Sequence, residues 1–201
     1  FGTGNTSTEV AISDTGTGTI TDGDAATVTI NDADALEGNS ITFDIVLDAD
    51  VDGDVVVDVS FANVTTSNDD YVEATQTVTF TGGTAGTQQI TVGTTDDAVL
   101  EPNETFTASL AFGTGNTSTE VTIIDTGVGT VLDGDAASVV INSASALEGN
   151  DITFDVTLTN DVSGDVVVDV SFSNVTSEND DYVEATQTVT FTGGTAGTQQ
   201  I

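Results

Sequence analysis

The sequence predicts an all-β protein built from tandem immunoglobulin-like, antiparallel β-sandwich repeats of about seven strands each. Three observations lead to this prediction. Apolar and polar residues alternate with a period of two, glycine-containing turn signals separate the alternating stretches, and the whole pattern recurs after 111 residues. Threonine and valine dominate these stretches, and none has the spacing of a long amphipathic helix. A β-barrel is the alternative architecture.

The alternation defines the predicted strands of one repeat. In the stretch ITFDIVL, Ile41, Phe43 and Ile45 face one side, whereas Thr42 and Asp44 face the other. Turn signals such as DGD, TGG and GTGN lie between the stretches. The predicted strands are approximately 26–31, 40–48, 54–62, 76–81, 87–93, 104–112 and 118–125.

An internal repeat divides the chain into three parts. Residues 1–22 differ from 112–133 at only 5 positions, and residues 23–90 differ from 134–201 at 13. A period of this length is a whole domain rather than a solenoid coil. We therefore predict a C-terminal strand of a preceding repeat (1–22), a complete repeat (23–133, copy one) and the N-terminal part of the next repeat (134–201, copy two). Because the chain begins within the pattern, we expect it to be a segment of a longer polypeptide.

The charge of the chain limits its partners. It has 34 acidic residues, no lysine, arginine or histidine, and a formal charge of −34. Self-repulsion opposes compaction, but the 37% of hydrophobic residues are enough for a core. Nucleic acids and anionic membrane surfaces are not expected partners, because both are bound through lysine or arginine. No apolar run is long enough for membrane insertion, so cations are the expected partners.

Catalysis is not expected from this composition. Without histidine, cysteine, lysine or arginine, only carboxylates and hydroxyls are available. Paired carboxylates serve glycosidases, but such sites use aromatic platforms, and the chain has no tryptophan and two tyrosines. The absence of cysteine also excludes disulfides and thiolate metal sites.

Acidic residues cluster in the loops between predicted strands. The densest stretch is DDAVLEPNETF from Asp96 to Phe106, and further acids are Glu37, Asp70 and Asp125. If the strands alternate up and down, these loops lie at one end of the sandwich. Carboxylates held so close repel one another unless they are neutralised, and Ca²⁺ does this by accepting roughly six to eight oxygen ligands. Acidic loops that are merely solvated are the alternative.

These loops resemble the Calx-beta domain family. The acidic-glycine pair reads LEG at 36–38, the Asp-Tyr motif reads DDY at 69–71, and the long acidic stretch is DDAVLEPNETF. The family is named for the calcium-binding regulatory modules of sodium–calcium exchangers. It also recurs in tandem in large bacterial surface proteins, including extender regions similar to those of RTX adhesins. The resemblance covers the whole of copy one.

The resemblance implies Ca²⁺ as the cofactor and assigns its ligands. In copy one these are the carboxylates of Glu37, Asp70, Asp96, Asp97, Glu101 and Asp125 and the carbonyl of Val99, with Glu104 as a nearby structural acid. The family often ends in consecutive aspartates, whereas Thr126 follows Asp125 here. Asp133 and Asp135 could replace those aspartates and place an ion at the junction with copy two. Copy two keeps Glu148, Asp180, Asp181 and Glu184.

The resemblance implies a structural function. Near-identical sandwiches in series form a rod, so we expect a rigid, calcium-stabilised extender of an extracellular bacterial adhesin or surface fibre, acting in cell adhesion and biofilm formation. Its partners are then the neighbouring repeats of the same chain. The glycine-containing linker DTGVGTVLDGD at 125–135 is expected to be flexible without an ion.

Two alternatives remain. In the first, the chain is a self-assembling extracellular filament subunit, and identical chains exchange strands between residues 1–22 and copy two. Copy two lacks a counterpart of 91–111, which argues against this alternative. In the second, the chain is a calcium-sensing regulatory module, although near-identical serial copies favour a mechanical role.

Overall fold

The computed structural model describes residues 1–178, 181–183 and 185–201. Copy one contains ten strands: β1 (Ala26–Ile30), β2 (Ala33–Leu36), β3 (Ser40–Leu47), β4 (Val55–Asn63), β5 (Gln76–Phe80), β6 (Gly86–Gly93), β7 (Val99–Leu100), β8 (Glu104–Phe112), β9 (Val121–Ile123) and β10 (Thr126–Leu132). Copy two contains β11 (Val139–Ile141), β12 (Asp155–Leu158), β13 (Asp161–Val162), β14 (Val166–Val170), β15 (Gln187–Phe191) and β16 (Gly197–Gln200). Short 3₁₀ turns occupy Thr81–Gly83 and Thr192–Gly194. Within the described residues, no helix is long and apolar enough to cross a membrane.

Copy one is a two-layer β-sandwich. One sheet has the strand order β6-β3-β1-β9 and the other has β2-β10-β8-β4-β5. Most pairings are antiparallel, including the longest register of the first sheet, between β3 and β6. The pairs β1–β9 and β2–β10 are parallel. The all-β sandwich class is confirmed, with two parallel pairs added to the predicted antiparallel arrangement.

The core lies between the two sheets, as the alternation predicts. On β3, Ile41, Phe43 and Ile45 are fully buried, whereas their neighbours on the strand face outward. Val55 and Val57 on β4 enter the same core from the opposite sheet. Burial of this apolar surface stabilises the sandwich against the repulsion of its charges.

An aromatic group closes the core near the acidic loops. The ring of Tyr71 stacks on that of Phe106, with centroids 4.1 Å apart and planes inclined by 11°. Phe61 packs against Phe106 in an edge-to-face arrangement at 5.8 Å, and Phe43 does so at 6.1 Å. The Tyr71 hydroxyl donates to Glu73 at 3.1 Å. The core thereby fixes the backbone on both sides of the acidic loops.

The prediction of a flexible linker at 125–135 is wrong for residues 126–132, because these residues form the strand β10. This strand pairs with β8 on one side and with β2 on the other. Two glycines of this strand lie so close to neighbouring atoms that a side chain at either position would clash. A Cβ at Gly127 would lie 2.5 Å from the Asn31 carbonyl oxygen, and one at Gly129 would overlap the Phe106 ring. The predicted strand 118–125 is correspondingly shorter, since β9 covers only Val121–Ile123.

The described residues of copy two form two small sheets, β11-β12-β16 and β14-β15. Val156, Leu158, Val189 and Phe191 make its buried core. Copy two also contacts copy one directly, because β13 pairs in parallel with β7, and the Ser163 N–H donates to the Leu100 carbonyl at 2.9 Å. The acidic loop of copy one is therefore part of the junction between the copies.

Candidate metal centre

One end of copy one gathers the loops that carry the acidic residues. They are the turn after β2, the loop after β4, the loop between β6 and β8, and the segment after β10. Together they surround a cavity of about 110 Å³. Its acidic lining residues are Glu37, Asp69, Asp70, Asp97, Glu101, Glu104 and Asp133, and its other lining residues are Thr95, Pro102 and Val131. Because the chain has no basic side chain, none of these carboxylates has a lysine, arginine or histidine partner.

The LEG motif positions Glu37 at the edge of this cavity. The Glu37 N–H donates to the Leu132 carbonyl at 2.9 Å, which holds the end of β2 beside the end of β10. Gly38 has φ +73°, and a Cβ there would lie 2.8 Å from the Asp96 Cβ. The motif needs glycine both for the left-handed backbone conformation and for the close approach of Asp96.

Backbone hydrogen bonds position the loop after β4. The Asp70 carboxylate accepts from the Ser67 N–H at 2.5 Å, and the Asp70 carbonyl accepts from the Thr95 N–H at 2.8 Å. The second bond joins this loop to the loop that follows β6. Two separate acidic segments are thereby brought to the same cavity.

Three carboxylates form a tighter group where copy one meets copy two, here called the junction cluster: Glu37, Asp133 and Asp135. One oxygen from each lies within 4.8 Å of the others, and all three residues are half-buried. Glu37 accepts from the Gly134 N–H at 3.0 Å, and Asp133 accepts from the Glu101 N–H at 3.2 Å. Asp135 Oδ2 is buried and has no hydrogen-bond partner among the described residues. Burial of a carboxylate oxygen without a hydrogen-bond donor costs free energy. The three carboxylates are therefore suited to a cation that binds oxygen ligands, such as Ca²⁺.

Burial and the charges of neighbouring carboxylates raise the pKa of two glutamates in the cavity. Burial raises the pKa of Glu104 to about 7, and a hydrogen bond to Asp70 and the charges of Asp70 and Glu101 act in the same direction. Burial also raises the pKa of Glu101, with the charges of Asp97, Asp70 and Glu37 adding to the effect. Protonation reduces the repulsion among these carboxylates at low pH, and a bound cation can reduce it at neutral pH.

Without a divalent cation, stability is expected to fall as pH rises from about 4.5 to about 7. In this range folded Glu104 keeps a proton that the unfolded chain has lost, so the folded state binds more protons and deprotonation destabilises it. Glu104→Gln removes this penalty and should raise the melting temperature above pH 7. Thermal melts in EDTA at several pH values measure the effect. Exposed Glu9→Gln is the matched control, and equal pH profiles for wild type and Glu104→Gln would contradict the prediction.

The structure brings most of the sequence-predicted ligands together. Glu37, Asp70, Asp97, Glu101 and Asp133 line the cavity, and Asp135 joins Glu37 and Asp133 in the junction cluster.

Two further predicted ligands lie beside the cavity. Asp96 packs against Gly38 and is not among the lining residues. Val99 lies in β7, and its N–H donates to Asp97 Oδ1 at 2.8 Å.

Asp125 is placed apart from this group. It precedes β10, whereas Asp133 follows it, so the two carboxylates lie at opposite ends of that strand. Asp125 instead borders a shallow depression of the surface together with Leu110, Ile123 and Ile124. The sequence pattern ends the last predicted strand at Asp125, because the glycines of β10 are typical of a linker.

The structure describes two of the predicted ligands of copy two. Glu148 and Asp181 are exposed. The Asp181 carboxylate accepts from the Glu178 N–H at 2.8 Å, which repeats the turn made by Asp70 and Ser67. Asp180 and Glu184 lie outside the described residues.

Other residues contribute to the site although the sequence did not assign them as ligands. Asp69 and Glu104 line the cavity, and Asn103 accepts from the Asp133 N–H at 3.2 Å. Asp69 adjoins Asp70 and could have been found from the DDY motif. Nothing in the sequence spacing indicates the bond between Asn103 and Asp133, since it depends on where β10 ends.

Comparison with known proteins places the fold and these motifs in a family. The Calx-beta domain model matches residues 22–144, more than half of the chain. A crystal structure of the apo-form Calx CBD1 domain is 19% identical, with a TM-score of 0.48 over 56% of this chain and all of that one. The structure of CBD12 from CALX1.2 is 17% identical, with a TM-score of 0.46 over 87% of this chain and 74% of that one.

A third solved structure is described as the calcium binding domain CBD12 of CALX1.1. It is 16% identical, with a TM-score of 0.44 over 84% of this chain and 71% of that one. The search of curated proteins found no match. On the match of the family model, the chain belongs to the Calx-beta domain family.

Proposed function

We propose that the chain is a calcium-stabilised structural module of an extracellular bacterial adhesin or surface fibre and acts as a rigid extender. The observation that carries the proposal is the junction cluster. Its three carboxylates converge without any basic partner, and Asp135 leaves a buried oxygen without a hydrogen-bond donor. Carboxylate oxygens are the ligands that Ca²⁺ prefers, and the ion would supply the missing positive charge.

The junction cluster lies where the chain passes from copy one to copy two, so an ion bound there would act on the linkage between repeats. Glu37 belongs to the turn after β2, whereas Asp133 and Asp135 lie where the chain leaves β10 for copy two. An ion held by all three would fix the departing chain against the body of copy one. Rigid joints in a series of such modules would give a long, stiff rod.

A second contact supports the same role. The strand β7 lies between Asp97 and Glu101, and it pairs with β13 of copy two. Neutralising the two carboxylates would order the loop that carries β7. The cavity and the interface between the copies would then be stabilised together.

An extracellular setting agrees with the chemistry of the site. Extracellular calcium modules bind with dissociation constants of about 10⁻⁴–10⁻³ M, which exposed and half-buried carboxylate ligands can provide. Because the chain has no lysine or arginine, it also has no bond that trypsin-like proteases cleave.

Thermal melts with EDTA, and then with Ca²⁺ restored, test the proposal. An ion that binds only the folded state stabilises it by RT ln(1 + L/Kd), where L is the free ion concentration, or about 2.7 kcal/mol at a hundredfold excess over Kd. We expect Ca²⁺ to raise the melting temperature reversibly and Asp133→Asn to lose most of this rise. Asp125→Asn should keep it, because Asp125 lies at the other end of β10.

Small-angle scattering of the same samples tests the extender role. When Ca²⁺ is restored, the maximum dimension of the molecule should increase, and the range of conformations that fits the scattering curve should become narrower. An unchanged melting temperature would contradict calcium binding, whereas a raised melting temperature with unchanged scattering would contradict the stiffening of the junction. Micromolar affinity with a large conformational change would favour the calcium-sensing alternative.

A further inference from the structure

The segment of copy two that contacts copy one carries fewer charges than its counterpart in copy one. This segment is 159–163 (TNDVS), which contains β13, and its counterpart is 48–52 (DADVD). The copy-one segment has three aspartates, whereas only Asp161 remains in copy two. At the last position of the segment, Ser163 stands where copy one has Asp52. The contact between the copies is therefore made by the less acidic of the two segments.

Hydrogen bonds within each copy account for two of the three positions. Asp161 accepts from the Ala196 N–H at 2.6 Å, so the carboxylate that copy two keeps has a partner inside copy two. In copy one, Asp48 accepts a backbone N–H of β1 at 2.6 Å. In copy two the Thr159 hydroxyl accepts the equivalent N–H, that of Ser138, at 2.9 Å, so this bond is kept without the charge. The third position, 163, is explained by the contact with copy one.

The register between the copies places Ser163 opposite Glu101. Val162 of β13 lies beside Leu100 of β7 in a parallel pair, and one position further along each chain Ser163 meets Glu101. The Ser163 N–H donates to the Leu100 carbonyl at 2.9 Å, which is the bond that a parallel ladder makes from the residue opposite position 101. Because paired strands lie about 4.8 Å apart, the side chains at positions 163 and 101 are neighbours.

An aspartate at position 163 would add a carboxylate where several are already close together. Glu101 lines the acidic cavity with Asp97 and Asp133, and the chain has no basic side chain to offset a further charge. Like charges at opposed positions of neighbouring strands destabilise their pairing. We propose that Ser163 determines the specificity of the contact between repeats. The β7 end of copy one accepts a following repeat that is neutral at this position, and it disfavours one that carries the aspartate of copy one, Asp52.

The order of repeats then depends on their sequences. A repeat with Asp-Val-Ser at this segment pairs with the β7 end of copy one, whereas a repeat with Asp-Val-Asp pairs with it less well. This selectivity does not need a bound ion, because it rests on the strand pairing and on the charge of Glu101. It can therefore fail while calcium binding holds, and it can hold in the absence of calcium.

Amide hydrogen exchange of the 201-residue chain in EDTA tests the proposal, because pairing of β7 with β13 protects the N–H of residue 163. Ser163→Asp should lower the protection factor of this amide about two- to fivefold. Ser163→Asn, which has a similar shape without the charge, should keep it. Ser173→Asp adds the same charge elsewhere and should also keep it, because Ser173 is exposed and follows β14, whereas β13 precedes that strand. Salt at about 1 M should reduce the difference between Ser163→Asp and Ser163→Asn, since the Debye length falls to about 3 Å.

A second substitution shows whether the effect comes from Glu101. When Glu101→Gln is combined with Ser163→Asp, most of the lost protection should return, since the opposed charge is gone. The Ala196 N–H, which donates to Asp161 inside copy two, is the internal reference. An unprotected amide at position 163 of the wild type, equal protection in Ser163→Asp and Ser163→Asn, an equal loss in Ser173→Asp, or no recovery in the double variant would overturn the proposal. A matching loss at Ala196 would overturn it too, because the aspartate would then destabilise copy two itself rather than the pairing.

Discussion

Replacing Gly83 with alanine is expected to destabilise copy one by about 2–5 kcal/mol, the sum of backbone strain and a steric clash. Gly83 has φ +63°, which side chains with a Cβ rarely adopt. A Cβ there would overlap the Val51 carbonyl oxygen and lie 2.7 Å from the Gly53 carbonyl oxygen. The Val51 N–H donates to the Gly83 carbonyl at 2.9 Å, so relief of the clash would break this bond. Chemical denaturation of the chain measures the loss.

Gly82→Ala is the matched control for the neighbouring position. Gly82 has nearly the same backbone conformation, φ +61°, but no atom lies within 4 Å of its added Cβ. Its substitution should cost only about 1–2 kcal/mol, from backbone strain alone. Equal losses for the two variants would mean that the close packing of this turn does not contribute to stability.

The turn at Gly83 also explains why some acidic residues are the same in both copies. Asp54 Oδ1 accepts from the Gly82 N–H at 2.6 Å, and Asp165 Oδ1 accepts from the Gly193 N–H at 2.6 Å. Asp50 holds the Ala85 N–H at 2.7 Å in the same way. These carboxylates support turns and are not ligand candidates. An acid retained between the copies therefore does not by itself indicate a metal site.

The sequence was sufficient to predict the strands that contribute most to the core. The alternation on β3 and β4 follows directly from the opposite directions of successive side chains, and this rule does not depend on tertiary contacts. The fold class and seven of the strands could therefore be predicted. The two-residue strand β7 could not, because it exists only through its pairing with β13.

The strand β10 was missed for a different reason. Its sequence, TGVGTVL, has the glycines of a loop, and only the structure shows that Gly127 and Gly129 approach the backbone of Asn31 and the ring of Phe106. Glycine in a strand often marks such a close approach, but the approaching atoms come from distant parts of the sequence.

The unpredicted strand β10 also explains why Asp125 lies apart from the other predicted ligands. β10 contains seven residues, which at about 3.3 Å per residue span about 23 Å. The interpretation that ended the last strand at Asp125 therefore put this carboxylate at the wrong end of the sandwich. Asp133 and Asp135, which were predicted only as possible replacements, are the residues whose carboxylates lie close to that of Glu37. The other loops did not depend on β10, and their acids lie together.

Phe106→Ala is expected to cost about 3–5 kcal/mol, and it should also reduce the proposed stabilisation by Ca²⁺. Phe106 is fully buried and contacts Phe43, Phe61 and Tyr71, so truncation leaves a cavity in the middle of the aromatic group. Phe112→Ala, at the other end of β8, is the control. Its side chain is 44% exposed, and its loss should cost roughly 1 kcal/mol. Chemical denaturation of both variants measures the difference.

The effect of Phe106→Ala on the metal site follows from the stacking on Tyr71. Tyr71 adjoins Asp70, and Phe106 lies two residues after Glu104, so the stacked rings fix the backbone on which both cavity carboxylates stand. Without the ring, Asp70 loses its fixed position relative to Asp97 and Glu101. The gain in melting temperature on adding Ca²⁺ should then be smaller in Phe106→Ala than in Phe112→Ala. If the gain were equal in the two variants, the aromatic group would stabilise the sandwich without ordering the site, and the loop hydrogen bonds of Asp70 to Ser67 and Thr95 would be sufficient to position its carboxylate.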